Sequence, residues 1–248
     1  WGRYSIIGLS ASFRFQVFDR TFREYAYDTL VDEYEVDDVL AQVEVIKARY
    51  SVPEIEELPG FSGGLVGFFV YETIEPIEPR LKGLAPEDRL HIPDIHMMLA
   101  EEIAVFDNLA GKVWLITHVD PTEHLAYEKG SKRLHDLTHR LRSGTTGYAE
   151  MINPNSIDTT DFKTGFSREE FDDAIAQCKR YIESGDIMQV VLSQRISTHF
   201  NARPLDVYRA LRASNPSPYM YFMDFDDYQV VGSSPEVLVR RVGDEVTL

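Results

Sequence analysis

The 248-residue chain carries 44% hydrophobic side chains, enough to bury a core, and at the usual size of domains its length leads us to expect two modest domains. A formal net charge of −16 argues against nucleic acid, whose phosphates are held by clustered Lys and Arg that this sequence lacks; a small anionic substrate in a pocket with its own cations stays open. There is no basic-then-apolar leader, no apolar run approaching the ~20 residues that cross a bilayer, and a lone Cys178 that can form no internal disulfide, so the expectation is a cytoplasmic chain without membrane contact.

Tyr4–Ile7 and Phe13–Phe18 are rich in aromatic and β-branched residues and are bounded by Gly8 and Asp19, which predicts short antiparallel strands. From Val36 onward, Val36, Val39, Leu40, Val43 and Ile46 keep helical spacing, and Pro53 stops that helix soon after Tyr50. Phe61–Tyr71 is almost uninterrupted apolar sequence with Gly63, Gly64 and Gly67 inside it, the pattern of a buried strand approached closely by another backbone. Pro76, Pro79 and Pro93 then punctuate a long loop. A hairpin follows, with Glu102–Asp107 and Lys112–His118 flanking a turn at Asn108–Gly111. Pro121–Leu141 has the pattern of an amphipathic helix. Residues 142–165, dominated by Ser, Gly, Thr, Asn, Asp and Pro, have the composition of a linker or crossover, so the expected domains are 1–141 and 166–248.

The second domain opens on a helix signal: Ser167 and Glu170 form a capping box, and Phe171, Ile175, Cys178 and Ile182 repeat down one face as far as Gly185. Ile187–Ile196 reads as a strand. Pro204 starts a further helix through Leu205, Tyr208 and Leu211, closed by Asn215 and Pro216. Two hairpins complete the pattern. The first joins Met220–Phe225 to Tyr228–Val231 across Asp226 and Asp227; the second turns at Gly243 and Asp244. Its last strand has only a few residues before Leu248, and the two helices with exposed strand edges predict a domain broken off before completion.

Several patterns carry chemistry or fail to. His135 and His139 stand at the i, i+4 spacing that can reach one zinc, but they lack the Glu of the zinc-protease motif and a third ligand, so a solvated helix face is expected. The glycines of 60–67 match no phosphate loop, no Gly-x-Ser-x-Gly motif occurs, and Cys178 falls on an apolar helix face, where an inert core thiol is expected. In Ile187–Ile196, alternation sets Met188, Val190, Leu192 and Ile196 on a core face and Gln189, Val191, Ser193 and Arg195 on the other. That second face either lines a polar pocket for a carboxylate or faces water. The Asn215-Pro-Ser-Pro-Tyr-Met220 segment is stiffened by two prolines and is either a pre-organised binding loop, with Tyr219 and Met220 as the surface for a flat ligand, or a rigid connector.

The blocks Gly2-Arg-Tyr-Ser-Ile-Ile-Gly8, Phe61-Ser-Gly-Gly-Leu-Val-Gly67, Gly185-Asp-Ile-Met-Gln-Val-Val-Leu-Ser-Gln-Arg195, Asn215-Pro-Ser-Pro-Tyr-Met220 and Gly232-Ser-Ser-Pro-Glu236 occur in this order. In this the chain resembles the large, chorismate-binding subunit (component I) of anthranilate synthase along most of its length. The resemblance implies an α+β fold, an antiparallel β-sheet sandwich with flanking helices, truncated here in its second domain and lacking both family termini. It implies a lyase that converts chorismate and ammonia to anthranilate and pyruvate in tryptophan biosynthesis, with ammonia delivered from glutamine by a glutamine amidotransferase subunit. It also implies Mg²⁺, with ligands expected beyond Leu248 and none within the chain, and feedback inhibition by L-tryptophan.

Carried over by motif, Pro218, Tyr219 and Met220 would contact the inhibitor, with Asn215 and Gly232 supporting them. The family's Leu-Leu-Glu-Ser half of that pocket would precede Trp1, and its Ala-Gly-Thr-Arg block and catalytic histidine would follow Leu248, so the chain alone is expected to be inactive. Gln189 stands at a strand position where related enzymes that add water carry a lysine; a neutral amide cannot act as a base near neutral pH, and ammonia, with its own lone pair, needs none. Gln189 therefore favours amination. One departure is Tyr71-Glu72 leading into Glu75 and Glu78, where the family commonly has Tyr-Asp and basic residues. The alternatives are an aminodeoxychorismate synthase component I, for which the Ser-Pro-Tyr-Met turn is less expected, and a non-catalytic ligand-binding module.

Overall fold

Antiparallel strands dominate the first half of the chain, and the computed structural model describes residues 2–9, 11–144 and 161–248. The strands are β1 (Tyr4–Gly8), β2 (Phe13–Phe18), β3 (Thr21–Ala26), β4 (Thr29–Glu35), β5 (Gly64–Phe69), β6 (Ile95–Ala100), β7 (Glu102–Asp107) and β8 (Lys112–Thr117); the helices are α1 (Val39–Ala48) and α2 (Ala126–Ser143). They form a five-stranded sheet in the order β4-β3-β2-β6-β5 and a three-stranded sheet in the order β1-β7-β8, every pairing antiparallel. The class is α+β.

Burial explains the pairing. Phe15, Val17, Phe22, Ile46 and Ile95 are fully buried in one cluster with Val39 and Met97, so β2, β3 and β6 share a face that α1 covers. The helix begins at Val39, three residues after the start of its apolar spacing, because the Asp38 side chain accepts the Ala41 N–H at 2.9 Å and caps it. Ile103, Val105 and Ile116 form a second cluster on the smaller sheet, with Phe61 and Trp114 against it.

β3 breaks the usual rule of an apolar inward face. Glu24 points in beside Phe22 and is buried. Its carboxylate accepts two bonds from Arg49 at 2.5 and 2.9 Å and one from the Tyr34 hydroxyl at 2.5 Å, and Gln42 donates to that hydroxyl at 2.8 Å. One network thus ties β3, β4 and α1 together, and its polar atoms are satisfied where solitary burial would be costly. The Phe61–Tyr71 run, expected as a buried strand, is a half-buried edge strand beside β6. The close approach is present: a Cβ on Gly67 would lie 1.9 Å from the His96 carbonyl oxygen. β6, between β2 and β5, is the strand that the long proline-punctuated segment conceals.

The chain divides into two compact units, Trp1–Gly147 and Tyr148–Leu248. Most of the 142–165 segment expected as a linker lies outside the described residues. The second unit contains β9 (Lys163–Thr164), α3 (Arg168–Glu183), β10 (Ile196–Ser197), α4 (Pro204–Ser214), β11 (Tyr219–Asp224), β12 (Gln229–Ser234), β13 (Arg240–Val242) and β14 (Glu245–Thr247). The capping box is formed, Ser167 taking the Glu170 N–H at 3.2 Å and Glu170 the Ser167 N–H at 2.8 Å. Pro204 stands at the start of α4 as expected.

Two expectations need correction here. Residues 187–195 are not a strand; only Ile196 and Ser197 pair, with Thr164 and Lys163. The core face fails with it, since Met188 is 97% exposed and Ile196 57%. Alternation reports amphipathicity, but a strand exists only where a neighbouring edge accepts its ladder, and no described strand offers one to this stretch. Cys178 is half-buried, not a core thiol, because the apolar stripe of α3 is incompletely covered: Ile182 is exposed and no residue of the helix is buried. Among the described residues no helix is long and apolar enough to cross a membrane.

Candidate functional site

The Asn215–Met220 segment joins α4 to a hairpin whose register fixes what each side chain can touch. Tyr219 faces Ser234, Met220 faces Ser233, Tyr221 faces Gly232 and Phe222 faces Val231. Directly opposed residues share a face, so Tyr219 and Tyr221 project to one side and Met220 and Phe222 to the other. The second side belongs to α4. The Phe222 ring meets Tyr208 of that helix edge-on at 6.2 Å, and the Ser233 hydroxyl donates to the Asn215 carbonyl at 3.0 Å. That bond and the two prolines pin the Asn215–Pro218 turn to the hairpin.

The far end of the hairpin is held as firmly. Phe225, almost fully buried, stacks on Tyr228 at 5.2 Å, its N–H donates to the Tyr228 carbonyl at 3.0 Å, and Asp226 takes the left-handed conformation that reverses the chain. The Asp224 carboxylate accepts from Gln229 at 2.9 Å. Charge enters at the other end of α4, where Asp206 is buried and accepts from Arg203 at 2.8 Å and Arg209 at 3.1 Å. The Arg203 bond first, aided by Arg209 and opposed by burial, holds the Asp206 carboxyl below its ordinary range.

The residues singled out in the sequence are therefore brought together as one element but not as one surface. Tyr219 and Gly232 belong to the open face, Met220 to the face against α4, and Asn215 and Pro218 to the turn between them. Alternation hides a participant that adjacency does not suggest. A Cβ on Gly232 would lie 2.1 Å from the Tyr221 ring, so that ring lies across the bare glycine backbone of the open face. The signal was available as the i, i+2 repeat of tyrosines after Pro218. Gln189 sits on the exposed 187–195 stretch, outside the hairpin. His135 and His139 are exposed on α2.

Among the described residues no group of three or more His, Cys, Asp or Glu could hold a metal ion, so these residues do not fit a Mg²⁺ site.

Comparison with known proteins supplies the rest. Residues 6–248 match the family described as chorismate binding enzyme. The chain is 46% identical over 241 residues to anthranilate synthase component 1 of Pseudomonas aeruginosa, covering 97% of this chain and 49% of that protein. It is 35% identical over 242 residues to the protein of the same name from Aquifex aeolicus, covering 97% of this chain and 48% of that one. The crystal structure of anthranilate synthase component I from Streptococcus pneumoniae superimposes with a TM-score of 0.77 at 32% identity, over 96% of this chain and 51% of that one. The chain spans about half the length of the curated relatives it matches.

Proposed function

The chain belongs to the chorismate binding enzyme family, and on that premise we propose that it contributes about half of an anthranilate synthase large subunit. The reaction is the lyase-type conversion of chorismate and ammonia to anthranilate, pyruvate and water in the cytoplasm. Ammonia comes from glutamine through an amidotransferase subunit, Mg²⁺ would be held by ligands outside the described residues, and tryptophan inhibits by feedback. The observation that carries the reading is the similarity to component 1 proteins along almost the whole chain, 46% identical in one and 35% in another. By motif alone Gln189 fits this reading, since residues 187–195 form no strand here. A side chain that cannot take a proton near neutral pH suits a nucleophile that arrives with its own lone pair, and disfavours activation of water.

The chain's own part in this is recognition. Pro218, Tyr219 and Met220 stand where two prolines and the Ser233–Asn215 bond hold the backbone in a fixed geometry, which lowers the ordering cost of gripping a flat ligand. Tyr219 and Tyr221 offer ring surface on the open face, and Gly232 lets a ring lie against backbone.

The test is anthranilate fluorescence from chorismate, ammonium and Mg²⁺, using the protein extended to the length of its relatives. Anthranilate should form, and tryptophan should suppress it. Met220→Ala and Pro218→Ala should relieve the suppression while uninhibited turnover stays nearly unchanged. Aminodeoxychorismate or isochorismate as the product would contradict the reaction. Unchanged inhibition in both variants would contradict the inhibitor site while leaving the reaction standing.

A further inference from the structure

A cavity of about 140 Å³ opens in the first unit where the end of α1, the residues after it and the adjoining ends of β5 and β6 meet. An apolar cavity of ~150 Å³ accepts a benzene molecule, so this one has room for a body of about six carbon atoms. Leu65 and Leu99 supply apolar wall, and the exposed Val52 stands at the mouth.

Two polar wall residues come from a cross-strand pair. One step beyond the last β7–β8 pair, Glu102 with Thr117, the His118 N–H donates to the Glu101 carbonyl at 3.0 Å, so the carboxylate and the imidazole leave the same face. The His118 Nε2 lies 2.7 Å from the Ser62 carbonyl oxygen and must donate to it, which fixes the tautomer and commits this nitrogen to the wall. Glu101 is half-buried and accepts the Ser12 hydroxyl, and among the described residues it forms no ion pair. Lys47, also on the rim, is drawn to Glu44 at 3.2 Å. Burial, and then the charge of Glu101 against that of Arg49, holds the Tyr50 phenol of the cavity wall above its ordinary range, so it stays neutral.

A carboxylate on a largely apolar wall, bonded to a hydroxyl and with the rim Lys47 paired to Glu44 instead, has electrostatic capacity left for a positive ligand. We infer that this cavity binds a small primary ammonium compound, its ammonium on Glu101 and its ring-sized apolar body between Leu65 and Leu99. The site lies within the first unit and stands independently of the reaction proposed above.

Benzylamine and benzoate, matched in ring and opposite in charge, are the probes, and the 248-residue chain is titrated with each by calorimetry. Benzylamine should saturate one site and bind at least ~10-fold more tightly than benzoate, the discrimination expected of one charge-assisted hydrogen bond. Glu101→Gln should erase that preference. Val52→Trp, at an exposed position that spares the core, should block benzylamine by filling the mouth, and it keeps the test decisive should Glu101→Gln unfold the protein. Absence of saturable benzylamine binding, equal affinity for benzoate, a preference that survives Glu101→Gln, or full binding by Val52→Trp would each overturn the inference.

Discussion

The two compact units spend their apolar residues differently. In the first, β2, β3 and β6 surround a cluster with five fully buried side chains, and an ion-pair network locks α1 and β4 onto it. In the second, among the described residues, α3 has no fully buried residue, the sheets are all two-stranded and Phe225 is the one buried apolar residue, while Met188, Leu238 and Leu248 are each close to fully exposed. A two-stranded hairpin is marginally stable by itself, whereas a five-stranded sheet with a helix on its face holds its own core. The stability of the chain therefore resides in the first unit. The hairpin proposed to contact the inhibitor belongs to the low-stability end, as ligand-responsive elements generally do.

The largest expected effect separates the units by a single truncation. Phe15→Ala removes a fully buried ring stacked on Phe22 at 5.7 Å and should cost about 3–5 kcal/mol in urea unfolding, while Leu238→Ala should stay within ~0.5 kcal/mol. Comparable losses at both positions would dissolve the contrast.

Acid gives the next effect, through a buried histidine of the first unit. Burial first, and then the Arg14 charge, depresses His96 from 6.5 to about 4. The unfolded chain then binds a proton that the folded chain refuses, so stability falls as pH drops from 6.5 and levels off below about 4, by on the order of 3 kcal/mol in all. The drop should vanish in His96→Gln, whose amide does not titrate. A pH-independent unfolding midpoint in the parent chain would contradict the burial of that ring.

A smaller loss should follow Glu24→Ala, which leaves Arg49 and Tyr34 without their shared acceptor and should cost about 1–3 kcal/mol. Burial raises the Glu24 pKa, but the bonds from Arg49 and Tyr34 outweigh it and the net shift is downward. The contribution is thus complete above the ordinary carboxylate range and fades as pH falls through the lowered folded value. Removing the carboxylate should also flatten that part of the acid profile.

How much of this was legible beforehand depends on whether a segment's neighbours lie close in sequence. The β7–β8 hairpin, α3 with its Ser167–Glu170 capping box, α4 behind Pro204 and the β11–β12 hairpin are determined by contacts within a few residues, and all stand where patterning puts them. β3 is harder to see because its inward Glu24 is acceptable only once Arg49, far along the chain, arrives to pair with it. β6 reads as a continuation of the proline-punctuated loop because an apolar run between two partner strands has no alternation. Residues 187–195 fail in the opposite way: they alternate well, and nothing described pairs with them. At the site, the motif placed Tyr219 and Met220 side by side, whereas the pleat sends them to opposite faces and brings Tyr221 over Gly232 in their place.

The most direct test of the division is amide hydrogen exchange along the 248-residue chain at neutral pH. Peptides from β2, β3 and β6 should exchange only through global unfolding, while those from the β11–β12 hairpin and residues 187–195 should exchange orders of magnitude sooner. Equal protection of the β11–β12 hairpin and β6 would contradict the account, since it would place that hairpin in the same cooperative core as Phe15.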